Sequence, residues 1–316
     1  MSKKFFTPGG IVVKQILLIV FLSFILVACS EKQELTYIPL TTTNVESGTE
    51  NSLEPENAIR TAFASVVSPE ETRYKYDLLL KYLEDHLERP ITIIQKQTYK
   101  EVNELLENGE VDLAFICSLS YVIGVEEGYV VDVATTVIDK KDVYRSYIIT
   151  HKNSGLETLE DLKGKRFAFA DPYSYSGRLA ALEMLNEIGY IAKEFFEETF
   201  YTYSHDYSIS AVARGAVDGA AVDSILFDKL LDLENEDAMQ VQIVQKGPWA
   251  GAPPIVVSDK TDKQLKADIK RLILSLDENP RGKHILEELK IEKYVPINRD
   301  NFEPIRNALK FMGDDE

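Results

Sequence analysis

Short apolar runs with strand character alternate with segments of helical periodicity along this chain, and no other feature limits its fold as much. The alternation opens at Ile59–Val67, continues through Tyr76, Leu79, Leu80, Leu83 and Leu87 on one helix face, and returns to a strand at Ile91–Ile94. Such a succession predicts βαβ units, hence largely parallel sheets covered by helices. A helix around Val102, Leu105 and Leu106, a strand Val111–Ile116, and strands Val130–Val137 and Tyr144–Thr150 complete a first α/β unit at about Thr150. A second unit starts at the strand Arg166–Ala170 and passes through a helix with Leu179, Leu182, Leu185 and Ile188 on one face. It continues through a strand near Thr199–Tyr203, a helix Asp206–Arg214 and strands Gly219–Val222 and Val241–Val244, ending at the turn Gly247–Pro254. An amphipathic helix through Leu265, Ile269, Leu272, Ile273 and Leu276 is then expected to pack back on the first unit. The predicted division is 58–150 plus 252–316 for lobe one and 151–251 for lobe two. No repeat of about 20 to 50 residues appears, which excludes solenoids and propellers.

Ahead of this region stand Lys3, Lys4 and Lys14, no acidic residue before Cys29, and an apolar stretch from Ile16 to Val27 broken only by Ser23. That is the layout of a secretion signal, and the stretch is short of the ~20 residues a permanent spanning helix needs. Leu26-Val-Ala-Cys29 resembles a bacterial lipobox, which implies removal of residues 1–28 and a lipid on the Cys29 thiol; the other reading is an uncleaved anchor helix over Ile11–Ala28. Both put the remainder outside the cytoplasm. Residues 29–57 are polar and aperiodic, a tether with a coil reach of roughly 30 Å. Losing the three leader lysines takes the net charge from −17 to −20, a surface that repels nucleic acid and anionic lipid headgroups. An anionic ligand must then be caught by local donors, against the field of the whole molecule. With Cys29 lipidated, Cys117 has no disulfide partner and reads as a small buried hydrophobe.

The strongest local signal is Phe167-Ala-Phe-Ala-Asp-Pro-Tyr-Ser-Tyr-Ser-Gly177, where a buried strand delivers a hydroxyl-rich turn to a helix start. Free N–H groups and the positive end of the helix dipole make such a turn an anion cradle, with Ser174 and Ser176 adding donors; ordinary N-capping by one serine explains it equally well. Arg178, in the first helical turn, could pair with an anion or lie on a solvated face. Asp223 follows the strand Gly219–Val222 at its carboxyl end, where ligands sit in open α/β sheets; it is a helix cap or a ligand contact. A carboxylate there favours a ligand with protonatable oxygens or an ammonium group over sulfate.

Asp161-Leu-Lys-Gly-Lys-Arg-Phe-Ala-Phe-Ala-Asp-Pro-Tyr-Ser-Tyr-Ser-Gly177 resembles the signature of the phosphate, phosphite and phosphonate importer binding proteins, the PhnD-type family. Gly109-Glu-Val-Asp-Leu-Ala-Phe-Ile-Cys-Ser-Leu-Ser-Tyr121, Ser204-His-Asp206 through Val217–Ser224, and Ser275-Leu-Asp-Glu-Asn-Pro-Arg-Gly-Lys283 resemble it too, in the same order. The resemblance implies a two-lobe clamshell of the type II periplasmic-binding-protein class, each lobe a mixed, mostly parallel sheet flanked by helices. It implies that Ser174, Tyr175 and Ser176 hold the oxyanion, that His205 helps, and that Tyr121 supplies an aromatic lining from lobe one. Asp206 is either a ligand contact or the cap of its helix. Tyr175 departs from the family's small hydroxyl residue, so it turns its ring outward or fills part of the pocket; Arg178 departs from an aromatic. Tyr173, Tyr201, Tyr203 and Tyr207 could form a wall for a ligand tail.

No G-x-S-x-G elbow, H-E-x-x-H, P-loop or paired Cys and His spacing for zinc occurs, so neither an enzyme nor a metal or cofactor site is expected. The expected partners are a small oxyanion and the permease subunits of an ATP-driven importer, with the protein acting as a monomer on its lipid anchor. The other readings are a clamshell that reports ligand to a membrane kinase, a binding protein for another oxyanion or zwitterion, and an enzyme of similar fold.

Overall fold

The computed structural model describes residues 57–64 and 69–313, with side chains from Tyr76 onward in the second stretch. The leader, Cys29 and the tether as far as Glu56 lie outside the described residues, as do Ser65–Val67 of the first predicted strand.

The chain begins with β1 (Ile59–Phe63), α1 (Pro69–Leu87), β2 (Ile91–Gln95), α2 (Tyr99–Asn108), β3 (Leu113–Phe115), α3 (Ser118–Glu127) and β4 (Val130–Val137). It goes on through β5 (Val143–His151), β6 (Arg166–Phe169), α4 (Ala180–Glu187), α5 (Ala192–Phe195), β7 (Glu198–Tyr201), α6 (His205–Ala213), β8 (Gly219–Asp223), α7 (Ser224–Asp232) and β9 (Val241–Gly251). It ends with β10 (Pro254–Ser258), α8 (Lys263–Leu274), α9 (Pro280–Leu289), β11 (Lys293–Val295) and α10 (Glu303–Ala308). Local chemistry fixes several ends. Thr98 and Glu101 form a reciprocal capping box at α2, whose far end stops at Gly109 in the left-handed region. Asn279 caps α9, with Pro280 in its first turn.

Two mixed sheets result, ordered β11-β4-β10-β3-β1-β2 and β7-β6-β8-β5-β9. In each, one strand lies between two parallel neighbours: β1 between β2 and β3, β6 between β7 and β8. Each is extended by an antiparallel strand, β10 on β3 and β5 on β8. This corrects one boundary. The sequence reading puts the strand Tyr144–Thr150 in lobe one, but β5 pairs with β8 and β9 in the second sheet. Alternation identifies a strand without saying which sheet it joins, and here a tight turn with Asp139 and Lys140 at φ 49 and 62 hands the chain across. The crossings therefore lie at 138–142 and 252–253, tied together where the Ala252 amide donates to the Asp142 carbonyl at 3.0 Å. The C-terminal helices α8 and α9 pack on lobe one, their Ile269, Ile273, Ile285 and Leu286 sharing a core with Leu79, Leu83, Leu113 and Ile255.

The lobes share more than topology. Arg60 donates from its amide and guanidinium to Asp112, and Arg166 does the same to Asp218, the partners being 52 positions apart in both lobes. Arg60-Thr-Ala-Phe-Ala64 answers Arg166-Phe-Ala-Phe-Ala170, and Gly109-Glu-Val-Asp112 answers Gly215-Ala-Val-Asp218, with the glycines at φ 72 and 71. In the same register Tyr99 matches His205, each the first residue of its helix, and Cys117 matches Asp223, each an N-cap. The repeat is a whole lobe long, beyond the short periods that mark solenoids.

Candidate functional site

A hydrophobic cluster runs from one lobe into the other, joining Tyr99, Leu119 and Tyr144 to Tyr175 and Leu179 and to Phe302 and Ile305 of the C-terminal segment. The site lies where these parts meet. β6 delivers the chain to Asp171, and from Ser174 it enters a wide π-type turn in which the amides of Leu179 and Ala180 bond five residues back, to Ser174 and Tyr175. Turns of this kind recur at functional sites because they splay the first amides of a helix. Ser174, wholly buried, caps the turn by accepting from the Gly177 amide at 2.9 Å. Gly177 is required by space: a Cβ there would stand 2.4 Å from that of Ala170 and 2.8 Å from His205 Cε1.

His205 is 1% exposed, and its Nδ1 accepts from the Asp223 amide at 3.2 Å, which leaves Nε2 as the donor. Burial lowers its pKa to about 3, so the ring is neutral in use. The Asp223 carboxylate caps α7, accepting from the Leu226 amide at 2.9 Å.

Lobe one contributes groups the sequence reading did not single out. Cys117 is the N-cap of α3 without a side-chain cap bond, and the amides of Leu119 and, from the other lobe, Tyr175 face its sulfur. Burial pushes its thiol pKa up. The Tyr99 and Tyr144 phenols and the Ser176 hydroxyl are buried and make no hydrogen bond among the described residues. They lie together: Ser118 and Ser176 stand close enough to hold the Tyr144 pKa down against the dominant effect of burial, though short of hydrogen-bond geometry. Tyr99 stands in the field of Cys117, Asp171 and Asp223, which adds to burial in raising its pKa. Buried hydroxyls without partners are rare, and each of these has an O–H to offer a polar guest. Asp171 ties the lobes across this junction, accepting from the Tyr99 amide at 3.1 Å and from Tyr173 at 2.7 Å; burial raises its pKa despite these bonds.

Other expected residues are placed differently. The Tyr175 side chain is fully buried, its hydroxyl among the unpartnered ones, with Arg145 and Glu183 within its field. It does not turn outward, and its backbone amide is the part that faces Cys117. Arg178 is buried too, donating to the carbonyls of Pro172 and Met312 at 3.2 and 3.1 Å, so it pins the turn to the C-terminal segment. Tyr121 sits within α3, not on a turn: its ring lies 4.6 Å from Phe302, and its hydroxyl donates at 3.0 Å to Asp132, which also holds Arg299. It belongs to the cluster that joins the two lobes, alongside Tyr99, Tyr175 and Phe302. Asp206 is in the first turn of α6, not its cap, and accepts from the Ser204 hydroxyl and the Tyr207 amide. Tyr207 is exposed, and Tyr201 and Tyr203 pack on each other at 6.1 Å, so these phenols do not gather at the junction. The register between the lobes was the available signal for Tyr99 and Cys117, since it pairs them with His205 and Asp223. Among the described residues no group of three or more His, Cys, Asp or Glu could hold a metal ion, and no helix is long and apolar enough to cross a membrane.

The chain has relatives among known proteins. The phosphonates-binding periplasmic protein of Escherichia coli K12 is 25% identical over 82% of this chain and 78% of its own length. The phosphate-import protein PhnD of Mycolicibacterium smegmatis is 27% identical over 60% of this chain and 62% of its own. In fold, the chain resembles the binding-protein component of a phosphonate ABC transporter from Pseudomonas aeruginosa, with a TM-score of 0.76, 22% identity and coverage of 82% and 87%. It also resembles PhnD1 of Prochlorococcus marinus in complex with methylphosphonate, with a TM-score of 0.74, 19% identity and coverage of 82% and 99%. Residues 61–302 match the family described as "ABC transporter, phosphonate, periplasmic substrate-binding protein", and the chain belongs to that family of transport proteins.

Proposed function

We propose that this protein captures a phosphorus oxyanion between its lobes and delivers it to the permease of an ABC importer, from an extracytoplasmic position held by a lipid on Cys29. The observation that carries the reading is the junction itself. Three buried, unpartnered hydroxyls, on Tyr99, Tyr144 and Ser176, meet the splayed turn behind Ser174 and the donor edge of His205. Each offers an O–H or N–H to an acceptor-rich guest, and neutral donors in a buried site bind an anion despite the net charge of −20 that remains once the leader lysines are lost. The ligands named for the relatives, phosphonates, phosphate and methylphosphonate, are of this kind. Micromolar binding is about −8 kcal/mol, within reach of a few hydrogen bonds to a charged group.

Titration calorimetry of the full chain in detergent, with phosphate, phosphite, methylphosphonate, aminoethylphosphonate and sulfate, tests the ligand class. At least one phosphorus oxyanion is expected to bind at micromolar strength and sulfate to be ignored; saturation by sulfate, or silence from all five, sinks the reading. Metabolic labelling with radioactive palmitate tests the anchor, and the label is expected to vanish in Cys29→Ala.

A further inference from the structure

A second space adjoins the junction. A cavity of about 780 Å³ opens between the lobes, walled by Phe63, Phe115 and Tyr294 on one side and by Tyr147, Leu226 and Trp249 on the other. Phe63 and Phe115 stack at 4.5 Å and 11°, and Tyr76 tilts against them at 5.0 and 4.8 Å, so three rings make one apolar corner. Across the cavity Trp249 has two cations over its ring, the Arg145 guanidinium at 3.7 Å and the Lys141 ammonium at 4.6 Å.

The cavity meets the junction in two places. Phe115 and Ile116 line it, and the next residue is Cys117. On lobe two Asp223 lines it while its amide holds His205. The Asp223 charge also reaches Tyr76, adding to burial in raising that phenol to about 12. A guest at the junction that extended past Asp223 would enter this cavity over the Phe115 ring. A space of this size encloses a drug-sized organic molecule, whereas a methyl or aminoethyl group would leave most of it to water against aromatic faces.

We infer that the ligand is an organic phosphonate or phosphate monoester whose aromatic or extended apolar substituent fills this cavity while its phosphorus oxygens sit at the junction. This rests on the oxyanion reading above and narrows it. Calorimetry of the full chain in detergent with methylphosphonate and benzylphosphonate separates the two claims. Benzylphosphonate is expected to bind about ten-fold more tightly or better, as burial of a ring against such a wall requires. Phe115→Leu and Trp249→Ala should each bring the ratio of the two affinities down to about three or less; Trp249 is 42% exposed, and an unchanged circular dichroism spectrum shows that its variant is folded. Should methylphosphonate bind and benzylphosphonate bind no better, the inference falls and the oxyanion reading stands. Should the advantage survive both substitutions, the substituent lies elsewhere and the inference again falls. Failure of both compounds to bind overturns the inference, and the oxyanion reading falls with it only when phosphate and phosphite are silent too.

Discussion

Ser174 and Ser176 stand out in the sequence because small hydroxyls at the end of a buried strand are poor core material, whereas His205 is singled out only by the family resemblance. Tyr99, Tyr144 and Cys117 do not stand out, because in an apolar run a tyrosine or a thiol looks like packing until its hydroxyl or sulfur is seen without a partner. The chemistry of single residues also sets a pH dependence. His205 is neutral when folded, with a pKa near 3 against an ordinary value of 6.5. The unfolded chain takes up a proton below pH 6.5 that the folded one refuses, so this contribution is complete above 6.5 and is lost as pH falls toward 3, by ~1.4 kcal/mol per unit. Thermal melts between pH 7 and 4 should show stability falling with pH, and His205→Gln should flatten the slope. The raised pKa of Asp171 acts in the opposite sense at lower pH, its protonation favouring the fold. Removing the turn's cap with Ser174→Ala should cost about 1 kcal/mol in the same melts and weaken anion binding measured by calorimetry.

Among the elements, strands and long helices were legible to within a few residues, as at β4, β6, α6 and β8. Two were not. The helix α3 carries buried Leu119, Tyr121 and Val122 in succession, so it lacks the polar face from which periodicity is read. β9 runs to Gly251, well past the predicted Val244, because pairing with β5 carries it through Gly247 and Pro248, with breaks in register that absorb them. The turn from Ser174 depends on one close approach, between Gly177 and Ala170. Gly177→Ala should therefore overpack the junction by about 1–3 kcal/mol and abolish binding, whereas Gly155→Ala, with nothing within 4 Å of the added carbon, should leave affinity unchanged despite its backbone strain. Melting temperatures and calorimetry on the two variants check this.

For the whole molecule, two α/β lobes could be inferred from alternation, but the assignment of β5 could not, since it depends on a pairing between distant segments. The relation between the lobes is set by the bond from the Tyr99 amide to Asp171 and by the shared cluster around Tyr175. Asp171→Ala deletes the acceptor, so the joined arrangement should become less populated. Hydrogen exchange read by mass spectrometry on the peptide containing Tyr99 should speed up in this variant by about ten-fold or more, and added oxyanion should slow it again. Unchanged exchange would mean that the bond does not hold the lobes together.

The matched caps, Cys117 in one lobe and Asp223 in the other, give the two jaws unlike electrical character at equivalent positions. Identical jaws would let a guest enter either end first. Here a thiol on one jaw answers a carboxyl group on the other, so a guest with one negative and one uncharged end is expected to favour one way of lying over the reverse. A duplicated scaffold thereby gains a direction, and exchanging the two side chains would be the most economical way to turn the guest around.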